Sequence, residues 1–385
     1  MCSGSIPCSP SAYRTSSNYI TRETMQDFSV PIKPDWEALV ACIQRRCTPR
    51  RVHFIELFLD SEIQTALANQ FGLNDGINAD DRYAGLKREV RIQRFLGYDY
   101  VRQGAEGLNF PLHYQKATDT ATHQRTNGRQ YVDESRGPIT CWEEFEKYPW
   151  PQPEQLSTAS LEWLDKNLPD DMCIIGSGGF AHFAEYLNWL MGYETLCYAL
   201  FDQRDLVQAI ADRLEQLFTA VLERMLAFRR VKLIWGSDDM GFRSGTLISP
   251  ADLRAFVFPG HRKIAAMAHA AGRPYLLHAC GQLTAIMEDL IADVKIDAKH
   301  SFEDTIEDVR DAKQRYGNRI ALLGGIDLDF LCRSDEAAIR ARVHDTLDKC
   351  LSGGGYCLGT GNSVANYISV PNYLTMLDEG RRYRP

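Results

Sequence analysis

From residue 52 onward the chain repeats one pattern: a short apolar run, a polar or glycine-rich turn, then a helical stretch. The runs are 52–59, 98–102, 172–176, 232–236, 274–280, 296–300, 320–325 and 355–359, eight in all. Each is short and apolar without alternation, as strands buried on both faces of a parallel sheet are. The helices between them are clearest in the second half. In 205–228, Leu206, Ile210, Leu214, Leu217, Val221 and Met225 form one apolar stripe. Ser249-Pro250 followed by Asp252 reads as a helix start, with Pro259 expected to kink that helix before it ends at Gly272. A further helix over 305–316 ends at Gly317, and Ser334 is expected to cap the one carrying Ile339, Val343 and Leu347. Eight such alternations predict an α/β fold, a single (β/α)8 TIM-type barrel.

Two segments stand outside the repeat. Residues 1–32, rich in Ser, Thr and Tyr, read as a loose N-terminal arm, leaving 33–385 as one barrel domain. Residues 108–157, polar and rich in Gly and Pro, are an insertion after the second run. Within it, 113–116 and 130–133 are expected to pair as a hairpin around Asn127-Gly128. An insertion at that point lies over the active-site face of a barrel, so it reads as a lid or an oligomer contact.

Composition narrows the class further. Hydrophobic residues are 44% and charged residues 24%, an ordinary globular balance. No run of about 18 apolar residues suggests a membrane span. A net charge of −8 argues against a phosphate-backbone partner, so no nucleic acid is expected. The eleven cysteines are scattered and odd in number, and no secretory signal is evident, so the expectation is free thiols in the cytoplasm.

A barrel carries its function at the C-terminal ends of its strands. Those ends form a polar ring: Glu56 and Asp60, Arg102, Ser177-Gly178-Gly179, Asp238-Asp239, His278 to Gly281, Lys299-His300, Gly324-Gly325-Ile326-Asp327 and Thr360 to Ser363. His278-Ala279-Cys280 is the most specific member. Residues i and i+2 of a strand point the same way, so imidazole and thiol can share one metal, and this pair suits Zn²⁺. A third ligand is needed. Asp239 is first in line, Cys357 is the alternative, and Glu56 and His300 remain open. Asp327 follows two glycines and points into the mouth. No Walker loop, dinucleotide fingerprint or Ser-nucleophile elbow is present.

Four blocks then carry a resemblance. They are Asp238-Asp239-Met240-Gly241 with Ile248-Ser249-Pro250, Leu277-His278-Ala279-Cys280-Gly281, Leu323-Gly324-Gly325-Ile326-Asp327, and Gly354-Gly355-Tyr356 through Asn362-Ser363. Together with Ile139 to Glu144 and Trp150-Pro151 they resemble the uroporphyrinogen decarboxylase superfamily, which includes cobalamin-dependent methyltransferases. The decarboxylases hold substrate carboxylates with arginines after the first strand. Here that stretch reads Phe54-Ile55-Glu56-Leu57-Phe58-Leu59-Asp60, acidic and without arginine. Their histidine near the last strand, and the later zinc cysteine of the methyltransferases, both fall near Asn362. The His278–Cys280 pair matches the methyltransferases.

The resemblance therefore implies a zinc-dependent methyltransferase that moves a methyl group between a small substrate and cobalamin or a corrinoid protein. Its metal ligands would be His278, Cys280 and Asp239. Glu56, Asp239, His300 and Asp327 would be catalytic, and Arg102, Ser177, Asp238 and Asn362 would bind substrate. Barrels of this kind often pair through one face, so a homodimer is expected. The alternatives are a cofactor-free decarboxylase of the uroporphyrinogen type and a non-catalytic barrel subunit.

Overall fold

The computed structural model describes residues 28–121, 123–125 and 128–385. Its strands are β1 (Tyr100–Gln103), β2 (Tyr114–Ala117), β3 (Arg129–Val132), β4 (Cys173–Gly176), β5 (Val231–Ser237), β6 (Tyr275–His278), β7 (Ala298–His300), β8 (Ala321–Leu323) and β9 (Tyr356–Cys357). Seven of them form one parallel sheet in the order β1-β4-β5-β6-β7-β8-β9, with helices on the connections. This is the α/β architecture of a TIM-type barrel. Seven of the eight expected runs are strands, most of them shorter than the apolar run that announced them.

The first run differs. Residues 52–59 form no regular strand and join the last one through single bridges, Phe54 to Leu358 and Leu59 to Val364. The Ile55 N–H donates to the Leu358 carbonyl at 2.9 Å. Toward β1, the Tyr100 phenol stands where a backbone ladder would. It accepts from the Glu56 N–H at 2.8 Å and donates to the Glu56 carbonyl at 3.2 Å. A side chain inserted at the seam spaces the two segments too widely for strand pairing.

Helices wrap the sheet and bury its outer face. Arg204–Leu226 presents Leu206, Ile210, Leu214, Leu217, Val221 and Met225 to the core, all buried. Ser249 caps the helix that follows β5 by accepting the Asp252 N–H. A π-turn over Leu253–Val257 lies just before Pro259, so the irregularity expected at the proline is displaced one turn earlier. Two boundaries are corrected. The helix expected from 305 begins at Val309, capped by Asp308, because residues 301–308 form a loop at the mouth. Ser334 closes the preceding helix, and Asp335 caps Glu336–Cys350.

The insertion forms the expected hairpin. β2 and β3 pair antiparallel, with Tyr114 opposite Val132. Their connection spans 118–128 and is longer than a two-residue turn, and residues 122, 126 and 127, with Asn127 of the expected turn among them, lie outside the described residues. The loop is pinned to the C-terminal side of the sheet. Asn366 donates to Asp119 at 2.7 Å and to the His123 carbonyl at 2.8 Å, and Arg125 pairs with Asp60 at 2.8 Å. Of residues 1–32, only 28–32 lie within the described residues. Phe28 packs on Phe95, and Ser29 bonds Asp378 of the C-terminal helix.

Candidate metal centre

Adjacent strands set the level of the site. Ser237, His278 and His300 are in register across β5, β6 and β7. Cys280 lies two residues beyond His278, past the end of β6, and its Sγ is 3.3 Å from His278 Nε2. Asp239 follows β5, and its Oδ1 is 3.4 Å from the same nitrogen. Asp239, His278 and Cys280 thus place three donor atoms within 4.8 Å of one another. Separations of about 3.3–3.8 Å are what two ligands show across a tetrahedral zinc with bonds of about 2.0–2.3 Å. The donor set of one nitrogen, one thiol sulfur and one carboxylate oxygen fits that ion and leaves a fourth position for substrate. The Asp239 side chain is 44% exposed, so the cluster opens onto the mouth.

Each donor is held from behind. Asp239 Oδ1 accepts the Cys280 N–H at 2.9 Å, and the Asp239 N–H donates to Glu185 at 3.2 Å. His278 Nδ1 meets His300 Nδ1 at 2.8 Å. A lone pair on His278 Nε2 requires its proton on Nδ1, donated to His300. Burial, reinforced by the nearby His278 and Lys299 charges, pushes His300 well below the usual imidazole range, as an acceptor at Nδ1 requires. Cys280 Sγ accepts from Ser301 Oγ at 3.2 Å and from Asn362 Nδ2 at 3.3 Å. Ser301 takes φ +87°, a conformation that costs a non-glycine residue ~1–3 kcal/mol.

The electrostatics of the cluster favour a cation. Burial alone would depress the His278 imidazole. The Cys280 charge and the hydrogen bond to Asp239 override that and hold it up to about 10. Asp239 is held well below the usual carboxylate range; enclosure works against this, and His278 outweighs it. Two acidic groups around one imidazole retain a proton where a metal ion would otherwise supply the positive charge.

The remaining candidates separate. Cys357 is buried against Cys42 and is not among the three clustered donors. Asp238 turns away from the mouth. It accepts the Ala184 and Glu185 N–H groups at 2.9 and 3.0 Å and His261 Nε2 at 2.8 Å, so both oxygens are committed at the start of the helix Phe183–Met191. Asp327 caps the helix Leu328–Arg333 through the Phe330 N–H and also accepts from the Asp304 N–H. These two carboxylates hold backbone, which leaves little for the substrate-binding role expected of Asp238 or the catalytic role expected of Asp327.

Glu56, Arg102 and Ser177 line one cavity of about 320 Å³ beside the cluster. Burial pushes Glu56 up to about 8, against the opposing hydrogen bonds from Thr360. The bonding agrees with a neutral acid. Thr360 Oγ1 donates to the Asn362 carbonyl at 2.6 Å and also contacts Glu56 Oε2, so its single proton leaves the carboxyl to act as donor there. Ser301, Glu185 and Trp235 were not singled out from sequence. Trp235 sits within an apolar run and reads as core, and Ser301 and Glu185 act only through residues distant in the chain.

Fold and site together define a TIM-type α/β protein with a mixed N, O, S donor set at the C-terminal mouth of its sheet. The chain belongs to the uroporphyrinogen decarboxylase (URO-D) family, whose model matches residues 134–383. No curated relative matches it significantly by sequence. Among solved structures it is similar to a methyltransferase from Methanosarcina mazei, with 16% identity and a TM-score of 0.61 over 90% of this chain and 97% of that one. A protein assigned as a vitamin-B12 independent methionine synthase from Listeria monocytogenes matches at 14% identity and a TM-score of 0.47, over 87% and 97% of the two chains. Among the described residues, no helix is long and apolar enough to cross a membrane.

Proposed function

We propose that this chain is a zinc-dependent methyltransferase, moving a methyl group between a small substrate and cobalamin or a corrinoid protein. The observation that carries the reading is the convergence of Asp239, His278 and Cys280 within 4.8 Å at the mouth. The fold likeness to the Methanosarcina mazei methyltransferase supports it. Zinc held by Asp239, His278 and Cys280 would deprotonate a substrate thiol and keep it nucleophilic near neutral pH.

The chain's own residues do the rest. His300 keeps His278 in the tautomer that presents Nε2. Asn362 and Ser301 hold the Cys280 sulfur in place. Glu56, protonated and linked through Thr360 to the Asn362 loop, supplies a proton at the cavity wall. Arg102 and Ser177 contact substrate from the same cavity. Asp238 and Asp327 support the mouth by fixing helix starts. The hairpin over residues 114–132 acts as a lid on a single domain spanning 33–385. We place the protein in the cytoplasm, as a homodimer working with a separate corrinoid protein.

Family membership favours decarboxylation of a uroporphyrinogen-type acid as the second reading. The acidic stretch at Glu56 and Asp60, without arginine, speaks against a polycarboxylated substrate. Incubation with methylcobalamin and a panel of small thiols separates the two. The proposal expects thiol-dependent loss of the methyl–cobalt absorption, abolished in Asp239→Ala. CO₂ release from uroporphyrinogen by metal-free protein, with no demethylation, would overturn it.

A further inference from the structure

The cavity beside the cluster holds donors without acceptors. Arg102 leaves β1 with its guanidinium stacked on the Trp235 ring, 4.7 Å from the centroid, and its enclosed Nε has no hydrogen-bond partner. Trp235 is 1% exposed, and its Nε1–H also lacks an acceptor. A buried donor left unpaired costs free energy that a ligand acceptor would recover. Both residues line the same cavity of about 320 Å³, at the lower end of the about 300–1,000 Å³ of small-molecule sites. No ion pair of Arg102 is formed among the described residues; the Glu89 charge bears on it without a salt bridge.

Packed rings link the cavity wall to the donor cluster. The Trp235 ring lies 5.3 Å from that of His300, which bonds His278. A molecule seated on Arg102 is therefore linked to the proposed metal position through the rings of Trp235, His300 and His278.

We propose that this cavity binds the carboxylate of a small monoanionic substrate, through Arg102 and the Trp235 Nε1–H. The proposal rests on the reading of the mouth as the substrate site, and names the class of molecule that enters it. A planar guanidinium suits a planar carboxylate. A dianion such as a phosphate monoester is disfavoured, because one guanidinium does not neutralise it and the burial that already pushes the lining Glu56 and Glu89 toward their neutral forms penalises the second charge as well.

Isothermal titration of the purified full chain with propionate, propionamide and methylphosphonate tests this, with zinc content measured on the same sample. Propionate is expected to bind at least tenfold more tightly than its uncharged isostere and than methylphosphonate. Arg102→Gln should erase that preference, Arg102→Lys should keep part of it, and Trp235→Phe should weaken propionate several-fold. Near-UV circular dichroism shows whether each variant is folded. Equal binding of propionate and propionamide, tighter binding of methylphosphonate, or an undiminished preference in folded Arg102→Gln overturns the subsite. A carboxylate preference in a chain that binds no zinc overturns the metal reading and leaves the subsite standing.

Discussion

Adjacent acids in this chain have opposite assignments. Asp238 is spent on helix N–H groups and on His261, whereas Asp239, one residue on, faces the open mouth. Asp238→Ala strands a buried imidazole and two N–H groups, a loss of about 3–5 kcal/mol; chemical denaturation should show it. Glu56 titrates between fold and solvent. Its folded value, pushed up to about 8, lies above the ordinary carboxyl range. The folded state therefore holds a proton that the unfolded chain releases, so this group's contribution falls as pH rises from about 4.5 to about 8. Glu56→Gln keeps the donor toward Thr360 Oγ1 without the charge. We expect it to be the more stable protein at about pH 8 and close to wild type at about pH 5, by denaturant midpoints. A wild-type advantage at the higher pH would show that Glu56 is ionised and well paired. Sequence marked Glu56, Asp238, Asp239 and Asp327 alike as strand-end acids. Which carboxylate is consumed by backbone depends on where a neighbouring helix begins, and that is set by packing.

At the scale of elements, the repeat of apolar run, turn and helix was readable because strands buried on both faces leave continuous apolar stretches. Residues 52–59 share that composition yet do not pair as a strand, because Tyr100 occupies the seam. Composition carries no trace of a phenol inserted from the neighbouring run. Tyr100→Phe removes both bonds to Glu56 and should cost about 1–3 kcal/mol, seen as a lowered denaturation midpoint with faster amide exchange over 52–59. The hairpin was legible from its turn-rich insertion, but its long connection was not, since Asn366, which anchors it, lies more than two hundred residues downstream. Asn366→Ala should raise amide exchange over 114–132; unchanged exchange there would show that the Arg125–Asp60 pair and the backbone bond from His123 to Asn366 suffice to hold the loop.

For the whole molecule, parallel strands in register bring β5, β6 and the loops after β7 and β9 to one mouth, where donors from positions 239 to 280 meet supports from 301 and 362. The pair His278 and Cys280 could be read from i, i+2 spacing alone. Asp239 was one of several candidates, and register made it the partner in space. Zinc bound as proposed would add a cross-link among these elements, so its removal by a chelator should lower the unfolding temperature of wild type and leave Cys280→Ser unmoved. The most direct test of the account is the zinc content per chain of wild type, Cys280→Ser and Cys357→Ser, each purified and folded. One zinc is expected in wild type and in Cys357→Ser, and none in Cys280→Ser. Zinc retained in Cys280→Ser, or lost in Cys357→Ser, would contradict it.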